Sequence, residues 1–226
     1  VADFRCVVVE DHSPDATWAE LQRAVGDDRR FELVRNDERR YQLANRLEGV
    51  RRVASAPDDI VVLIDGDDWL LTDLAFARIA REYEDPDVWC TYGSYRSRKR
   101  AWWRRLRPWR PPSTRPYEPE ILASRRFRDV RWWAGHPMTF RRFLFDEIDD
   151  ADLRDEDGGY YRAATDQALF MPMMEMAGAA HLRHIPEPLY VWNKANPMSA
   201  DEAYRALQRH STDHMRARPM YPLLER

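Results

Sequence analysis

Ile60-Val61-Val62-Leu63-Ile64-Asp65-Gly66-Asp67-Asp68-Trp69-Leu70 is the stretch that decides the fold. Five consecutive apolar residues run straight into a carboxylate. A run of that length and composition reads as a strand buried on both faces, and it is the clearest central strand in the chain. Upstream of it, Phe4 to Glu10 and Phe31 to Arg35 read as two further short strands. Between those, Ser13-Pro14 predicts an N-cap and a first-turn proline for a helix carrying Trp18, Leu21 and Val25. Leu43, Leu47, Val50 and Ala54 mark the inner face of a helix running from Asp37 to Ser55. Downstream, Thr72 is placed to cap a helix with Phe76, Ile79, Ala80 and Tyr83 inward, and Val88 to Tyr92 is another strand. This alternation predicts an α/β fold whose parallel sheet is covered by helices on both faces.

The second half reads differently. Tyr95 to Pro119 is dense in Arg, Trp and Pro, with prolines at 108, 111, 112, 116 and 119, so it cannot be one helix. A long loop with a short helix near Ala101 to Leu106 is expected. An apolar turn follows at Trp132 to Gly135, then a helix over Thr139 to Ile148 and a glycine-bearing loop over Asp155 to Gly159. Leu169, Met173 and Met176 predict a helix kinked at Pro172. A strand pair, Leu182 to Ile185 and Leu189 to Trp192, and a C-terminal helical tail complete the chain.

At 226 residues with 44% hydrophobic content, the chain is large enough for one well-buried domain and too apolar for disorder. A net charge of −3 gives no global field that attracts nucleic acid, so a nucleic-acid partner is not expected. Cys6 and Cys90 have no metal or redox spacing, which suits a reduced, cytoplasmic setting. No apolar stretch approaches the roughly 20 residues that span a bilayer.

Three carboxylates within four positions, Asp65, Asp67 and Asp68, stand at the carboxyl end of a strand, where open α/β sheets bind ligands. Like charges so close persist when a cation or strong donors offset them. Hard divalent ions suit all-oxygen ligands, and Mg²⁺ takes one or two carboxylates beside substrate phosphate. The expectation is a metal–diphosphate site; the bland alternative is a solvated acidic loop before the next helix, where Asp73 already suits the N-terminus. Haloacid-dehalogenase-type phosphatases also use Asp-x-Asp at a strand end. They want Thr or Val two positions after the second Asp, where this chain has Trp69, so that reading is weaker.

Several segments in order resemble the inverting, nucleotide-sugar-dependent glycosyltransferases of family 2, from about Val7 to Ser199. Val7-Val8-Val9-Glu10-Asp11-His12-Ser13-Pro14-Asp15 is similar to the strand and turn whose acidic residues meet the nucleotide base. Arg39-Arg40-Tyr41 through Asn45-Arg46 resembles the helix that brings an arginine near the base and an asparagine to the donor side. Ile64-Asp65-Gly66-Asp67-Asp68-Trp69-Leu70 matches the metal-binding signature, His136-Pro137-Met138-Thr139-Phe140-Arg141-Arg142 the segment behind the donor sugar, and Thr165-Asp166-Gln167-Ala168-Leu169 the catalytic-base segment. The resemblance implies a GT-A fold: a Rossmann-type mixed sheet flanked by helices, with an irregular acceptor-side C-terminal half. It implies a single domain over 1–226, with 1–93 binding nucleotide-sugar and metal, 94–199 facing the acceptor and 200–226 a tail. Two departures are visible. The family opens with an extra strand ending in a Pro-x-Tyr-Asn-like turn, whereas this chain begins at what corresponds to the second strand, so that strand is missing or the base pocket is built differently. Thr165 stands where the family commonly has Glu.

The implied reaction moves a sugar, of hexosyl type, from a nucleoside-diphosphate sugar to a hydroxyl of a glycan, protein or lipid-linked acceptor. Mn²⁺ or Mg²⁺ would be held by Asp67 with Asp65 or Asp68, Asp65 serving either the ribose or the metal shell. Asp166 would be the catalytic base, Asp11 would accept a hydrogen bond from a nucleobase N–H, Arg39 would contact base or phosphate, and His136 would line the donor sugar. A non-catalytic sugar-nucleotide or glycan-binding module of the same fold is the alternative; a phosphatase or nucleotidyltransferase ranks below it. The stretch from Arg96 to Arg115 holds nine basic residues with Trp102, Trp103 and Trp109. A lid over the diphosphate and peripheral contact with an anionic membrane rank above a nucleic-acid patch, and a solvated loop is the plain reading.

Overall fold

The computed structural model describes residues 4–98, 114–194 and 202–226. Strand β1 (Cys6–Glu10) lies parallel to β2 (Phe31–Arg35) in a two-stranded sheet, joined by helix α1 (Thr17–Val25). Helix α2 (Tyr41–Val53) leads to β3 (Ile60–Leu63), then β4 (Trp69–Leu70), α3 (Ala75–Glu82) and β5 (Cys90–Arg98). Short helix α4 (Pro119–Ser124) precedes β6 (Met138–Arg141) and α5 (Arg142–Asp146). Helix α6 (Thr165–His181), β7 (Leu182–Asn193) and α7 (Glu202–Ala217) close the chain. The second sheet has five strands in the order β3-β6-β5-β7-β4.

This is the mixed α/β architecture, a mixed sheet flanked by helices, that the family resemblance implies; the all-parallel sheet suggested by the alternation of the first 93 residues is corrected. In the five-stranded sheet only β5 and β7 run parallel; β3–β6, β5–β6 and β4–β7 are antiparallel. The run from Ile60 is also not a central strand. β3 is at the sheet edge, with Val61 and Leu63 buried and Ile60 41% exposed. A continuous apolar run therefore serves a strand with one buried face.

Three further expectations change for local reasons. Helix α1 starts at Thr17 instead of beside Ser13, because Asp15 Oδ1 accepts from the Thr17 amide at 3.0 Å while the Ser13 amide donates to Glu10 at 2.6 Å. Met138 to Arg141 form a strand instead of a helix start: Thr139 pairs with Thr91 across the ladder, and the two hydroxyls bond at 2.6 Å. The expected strand pair near the C-terminus is one twelve-residue strand. Its prolines are tolerated because the β5–β7 register shifts around Ser94, opposite Pro188.

Helix α6 is the central pillar: its residues Thr165 and Gln167 to Gly178 are all buried. Each fully buried Leu, Phe or Met of this kind contributes about 1.5–3 kcal/mol. Pro172 does not break it; the backbone leaves helical geometry at Gly178 (φ 60°), where a Cβ would stand 2.7 Å from Leu223 of the C-terminal segment. That contact and the positive φ together require glycine. Leu43, Leu47, Val50 and Ala54 of the α2 face belong to the same core, as expected. A smaller core on the α3 side joins Ala75, Ile79 and Tyr83 to Ile185 and Leu189 of β7. The short helix expected near Ala101 to Leu106, and most of the basic stretch, lie outside the described residues.

Candidate active site

The site gathers at the end of β3, the N-termini of α2 and α6, and the last residues of β7. Asp65 is tied inward. Its Oδ1 accepts from Arg46 at 2.5 Å and from Gln42 Nε2 at 2.9 Å. Arg46 also donates to the Thr165 hydroxyl at 3.1 Å, and that hydroxyl donates to Gln42 Oε1 at 2.5 Å. Gln42, Asp65, Arg46 and Thr165 thus close a ring that joins α2, the acidic loop and the first residue of α6. The Arg46 side chain is only 9% exposed. Burial works against the ionised form of Asp65, yet the Arg46 charge and hydrogen bonds hold its pKa below the usual carboxylate value.

Asp68 sits differently. It accepts from the Asn193 amide at 2.7 Å, and burial pushes its carboxyl up. Tyr190 is a clamp beneath the loop: its hydroxyl accepts from the Asp65 amide at 3.0 Å. Burial drives that phenol well above its ordinary value. Asp67 is exposed at the turn. His136 stacks on Tyr190 with ring centroids 5.0 Å apart and points Nε2 at Asp65 Oδ2, 3.7 Å away. Its Nδ1 faces the Leu63 carbonyl at 3.3 Å.

No three His, Cys, Asp or Glu side chains converge as a ready metal shell among the described residues. Asp65 is held by Arg46 and Gln42, Asp68 by the Asn193 amide, and Asp67 is exposed at the turn. Two hard oxygen donors at a strand end fit a Mg²⁺ or Mn²⁺ ion that completes its shell with diphosphate and water.

Asp11 and Arg39 lie at the α2 N-terminus. Asp11 accepts from the Arg40 amide at 2.7 Å, the Tyr41 amide at 2.9 Å and Asn36 Nδ2 at 2.9 Å. It replaces the local cap that α2 lacks, which is why the helix begins at Tyr41 and not near Asp37. These hydrogen bonds outweigh burial and lower its pKa. Arg39 lies over the Tyr41 ring at 5.0 Å, and Arg162 over the same ring at 4.4 Å. Asp166 is half-buried in the first turn of α6, within the electrostatic reach of Arg46, Tyr117 and Tyr204. Non-glycine residues with positive φ mark three of these junctions: His12 (56°), Tyr41 (66°) and Ala164 (53°), the last directly before Thr165-Asp166. Such backbone strain gathers where geometry is held for function.

The structure thus brings Asp65, His136, Asp68 and Asp166 around one network, with Asp11 and Arg39 one helix turn away. Sequence reasoning did not single out Gln42, Tyr190, Arg162 or the bridging roles of Arg46 and Thr165. One signal was available: Gln42 and Arg46 are polar residues four apart, flanking the apolar stripe of α2.

Residues 2–150 match the family described as Glycosyl transferase family 2. Among solved structures, S. aureus TarS superposes with a TM-score of 0.57 at 16% identity, covering 84% of this chain and 31% of that one. Its 1–349 fragment gives 0.58 at 16% identity over 94% and 60%. The mannosyltransferase PcManGT from Pyrobaculum calidifontis, solved with GDP-Man and Mn²⁺, gives 0.51 at 22% identity over 90% and 51%. The chain spans less than two thirds of each of these. No curated protein sequence matches it. No described helix is long and apolar enough to cross a membrane. The fold and the matched segment lead to one assignment: the chain belongs to glycosyl transferase family 2.

Proposed function

We propose that this domain transfers a hexosyl group from a nucleoside-diphosphate sugar to an acceptor hydroxyl on a glycan, protein or lipid-linked molecule, with inversion and with a divalent metal. The observation that carries the reading is the acidic loop at the end of β3, linked through Arg46 and Thr165 to the start of α6 and its Asp166. The resemblance to a structure solved with GDP-Man and Mn²⁺ supports a nucleotide sugar and a metal without fixing the base.

Asp67 and Asp68 would hold the Mn²⁺ or Mg²⁺, and Asp65 would fix the loop that carries them. When bound, such an ion supplies Lewis-acid stabilisation of the leaving diphosphate. Arg39 and Arg162 converge on Tyr41 and form no ion pair with a described carboxylate; two like charges so placed suit the diphosphate. Asp11 acts through α2, by fixing the helix end at Tyr41 on which both arginines converge. His136 lines the donor sugar. Asp166 takes the proton from the acceptor hydroxyl as its oxygen bonds the anomeric carbon and the carbon–oxygen bond to diphosphate breaks on the opposite face. A positioned base contributes roughly 10²–10⁴-fold. The α6 N-terminus favours the ionised carboxylate.

A thermal-shift screen of nucleoside diphosphates with and without Mn²⁺ tests donor binding. The expected result is stabilisation by at least one of them, larger with Mn²⁺. With the donor so identified, Asp166→Asn should retain binding and lose transfer. A wild-type chain that binds the donor but never turns it over is a binding module, and the transferase reading then fails.

A further inference from the structure

The two ring nitrogens of His136 have different surroundings beside the acidic loop. Nδ1 lies 3.3 Å from the Leu63 carbonyl oxygen. A carbonyl only accepts, so this contact assigns the ring hydrogen to Nδ1. Nε2 then presents a lone pair, and it points at Asp65 Oδ2 from 3.7 Å. The Arg46 and Gln42 donors act on the other oxygen of Asp65, Oδ1. Two electron-rich atoms that face one another at this range repel unless a cation stands with them.

A second proton on the ring does not account for the distance. An imidazolium hydrogen-bonded to a carboxylate draws it to about 2.7–2.9 Å. The observed 3.7 Å is beyond a direct hydrogen bond. Ligands about 2.1 Å from a common ion stand roughly 3–4 Å apart, and the pair falls in that range. The ring is also held as a ligand must be. It stacks on Tyr190 with the planes 22° apart, and its side chain is 14% exposed. Its chain neighbours are packed on β5: the Gly93 amide donates to the Gly135 carbonyl at 2.9 Å, and a Cβ on Gly93 would fall 2.5 Å from the Pro137 ring. A ring N–H on a backbone carbonyl is the outer-shell contact that orients a metal-binding histidine.

We infer that His136 joins the carboxylates of the acidic loop as a nitrogen ligand of the divalent ion, through Nε2, with Asp65 Oδ2 beside it. Asp65 then serves Arg46 with one oxygen and the ion with the other. The inference rests on the metal-dependent transferase reading and goes beyond it by selecting the ion. A nitrogen ligand favours a transition ion such as Mn²⁺ over Mg²⁺, which keeps to oxygen.

The test is pulsed electron paramagnetic resonance of Mn²⁺ with the full chain, alone and with GDP or UDP. Unlabelled protein is compared with protein carrying ¹⁵N-histidine, which separates imidazole from nucleobase nitrogen. The expected result is the nitrogen coupling of a directly bound imidazole, changing isotope in the labelled chain. His136→Phe keeps a ring against Tyr190 and should lose that coupling. In the same variant the ratio of Mn²⁺ to Mg²⁺ affinity, read by competition, should fall about tenfold. Mn²⁺ bound through oxygen alone in the wild type, or a coupling and ratio that survive in His136→Phe, would overturn the inference and leave the metal-dependent reading standing. A chain that binds no Mn²⁺, alone or with either nucleotide, overturns both. The wild-type spectra decide the ligand whether or not the variant folds.

Discussion

Replacing Arg46 with methionine removes the guanidinium that pairs with Asp65, and its cost can be worked from the structure. The guanidinium is 9% exposed and meets a carboxylate that is 24% exposed, at 2.5 Å. Breaking a buried pair by removing one partner costs about 3–5 kcal/mol, because the remaining charge loses its compensation. Asp65 keeps the Gln42 hydrogen bond and some solvent, which places the expected loss near the lower end, about 3 kcal/mol. For a chain of this length that corresponds to a Tm lowered by roughly 6–12 °C. The double variant Arg46→Met/Asp65→Asn removes both charges at once, so it should recover most of the loss and sit within about 1 kcal/mol of wild type. Urea denaturation with a common m-value measures all three proteins. A single variant that loses less than about 1 kcal/mol, or a double variant no better than the single, would refute the idea that Arg46 exists to compensate Asp65.

Three further outcomes follow from named contacts. Thr165→Val removes the hydroxyl between Arg46 and Gln42 while sparing the Arg46–Asp65 pair; transfer should fall about tenfold with donor binding unchanged, and Thr165→Ser should restore it. Ala164→Gly relieves a left-handed backbone (φ 53°) before the base, so urea denaturation should show a gain of about 0.5–1 kcal/mol, accompanied by slower turnover as Asp166 loosens. Gly93→Ala drives a Cβ to 2.5 Å from the Pro137 ring; it should destabilise by about 1–3 kcal/mol and weaken donor binding by displacing the adjacent His136.

Much of the architecture was legible in the sequence because it follows from local periodicity. The α2 stripe of Leu43, Leu47 and Val50 is buried as its spacing requires. Strand direction was not legible. Nothing in Ile60 to Ile64 distinguishes a strand with one buried face at a sheet edge from a central one, since both present an apolar run. Thr139 and Thr91 show the same limit from the other side: their pairing is a contact between distant segments, and it turned the start of an expected helix into a strand, the helix itself beginning at Arg142. The acidic loop was legible as chemistry, since three carboxylates after an apolar run point to a ligand edge. Its internal division was not. Only the fold brings Arg46 and Gln42 onto Asp65, sets Asp68 against the Asn193 amide and leaves Asp67 exposed. Arg162 escaped notice because nothing near it in sequence announces that it meets Tyr41.

The central claim is that Asp67, beside Asp68, holds a divalent ion against the donor's diphosphate. Calorimetric titration of the nucleoside diphosphate that stabilises the chain most, with and without Mn²⁺, tests it on wild type and Asp67→Asn. The account predicts wild-type binding about tenfold or more tighter with Mn²⁺, and no metal effect in the variant at unchanged fold stability. An Asp67→Asn chain that gains the same affinity from Mn²⁺ as wild type would contradict it.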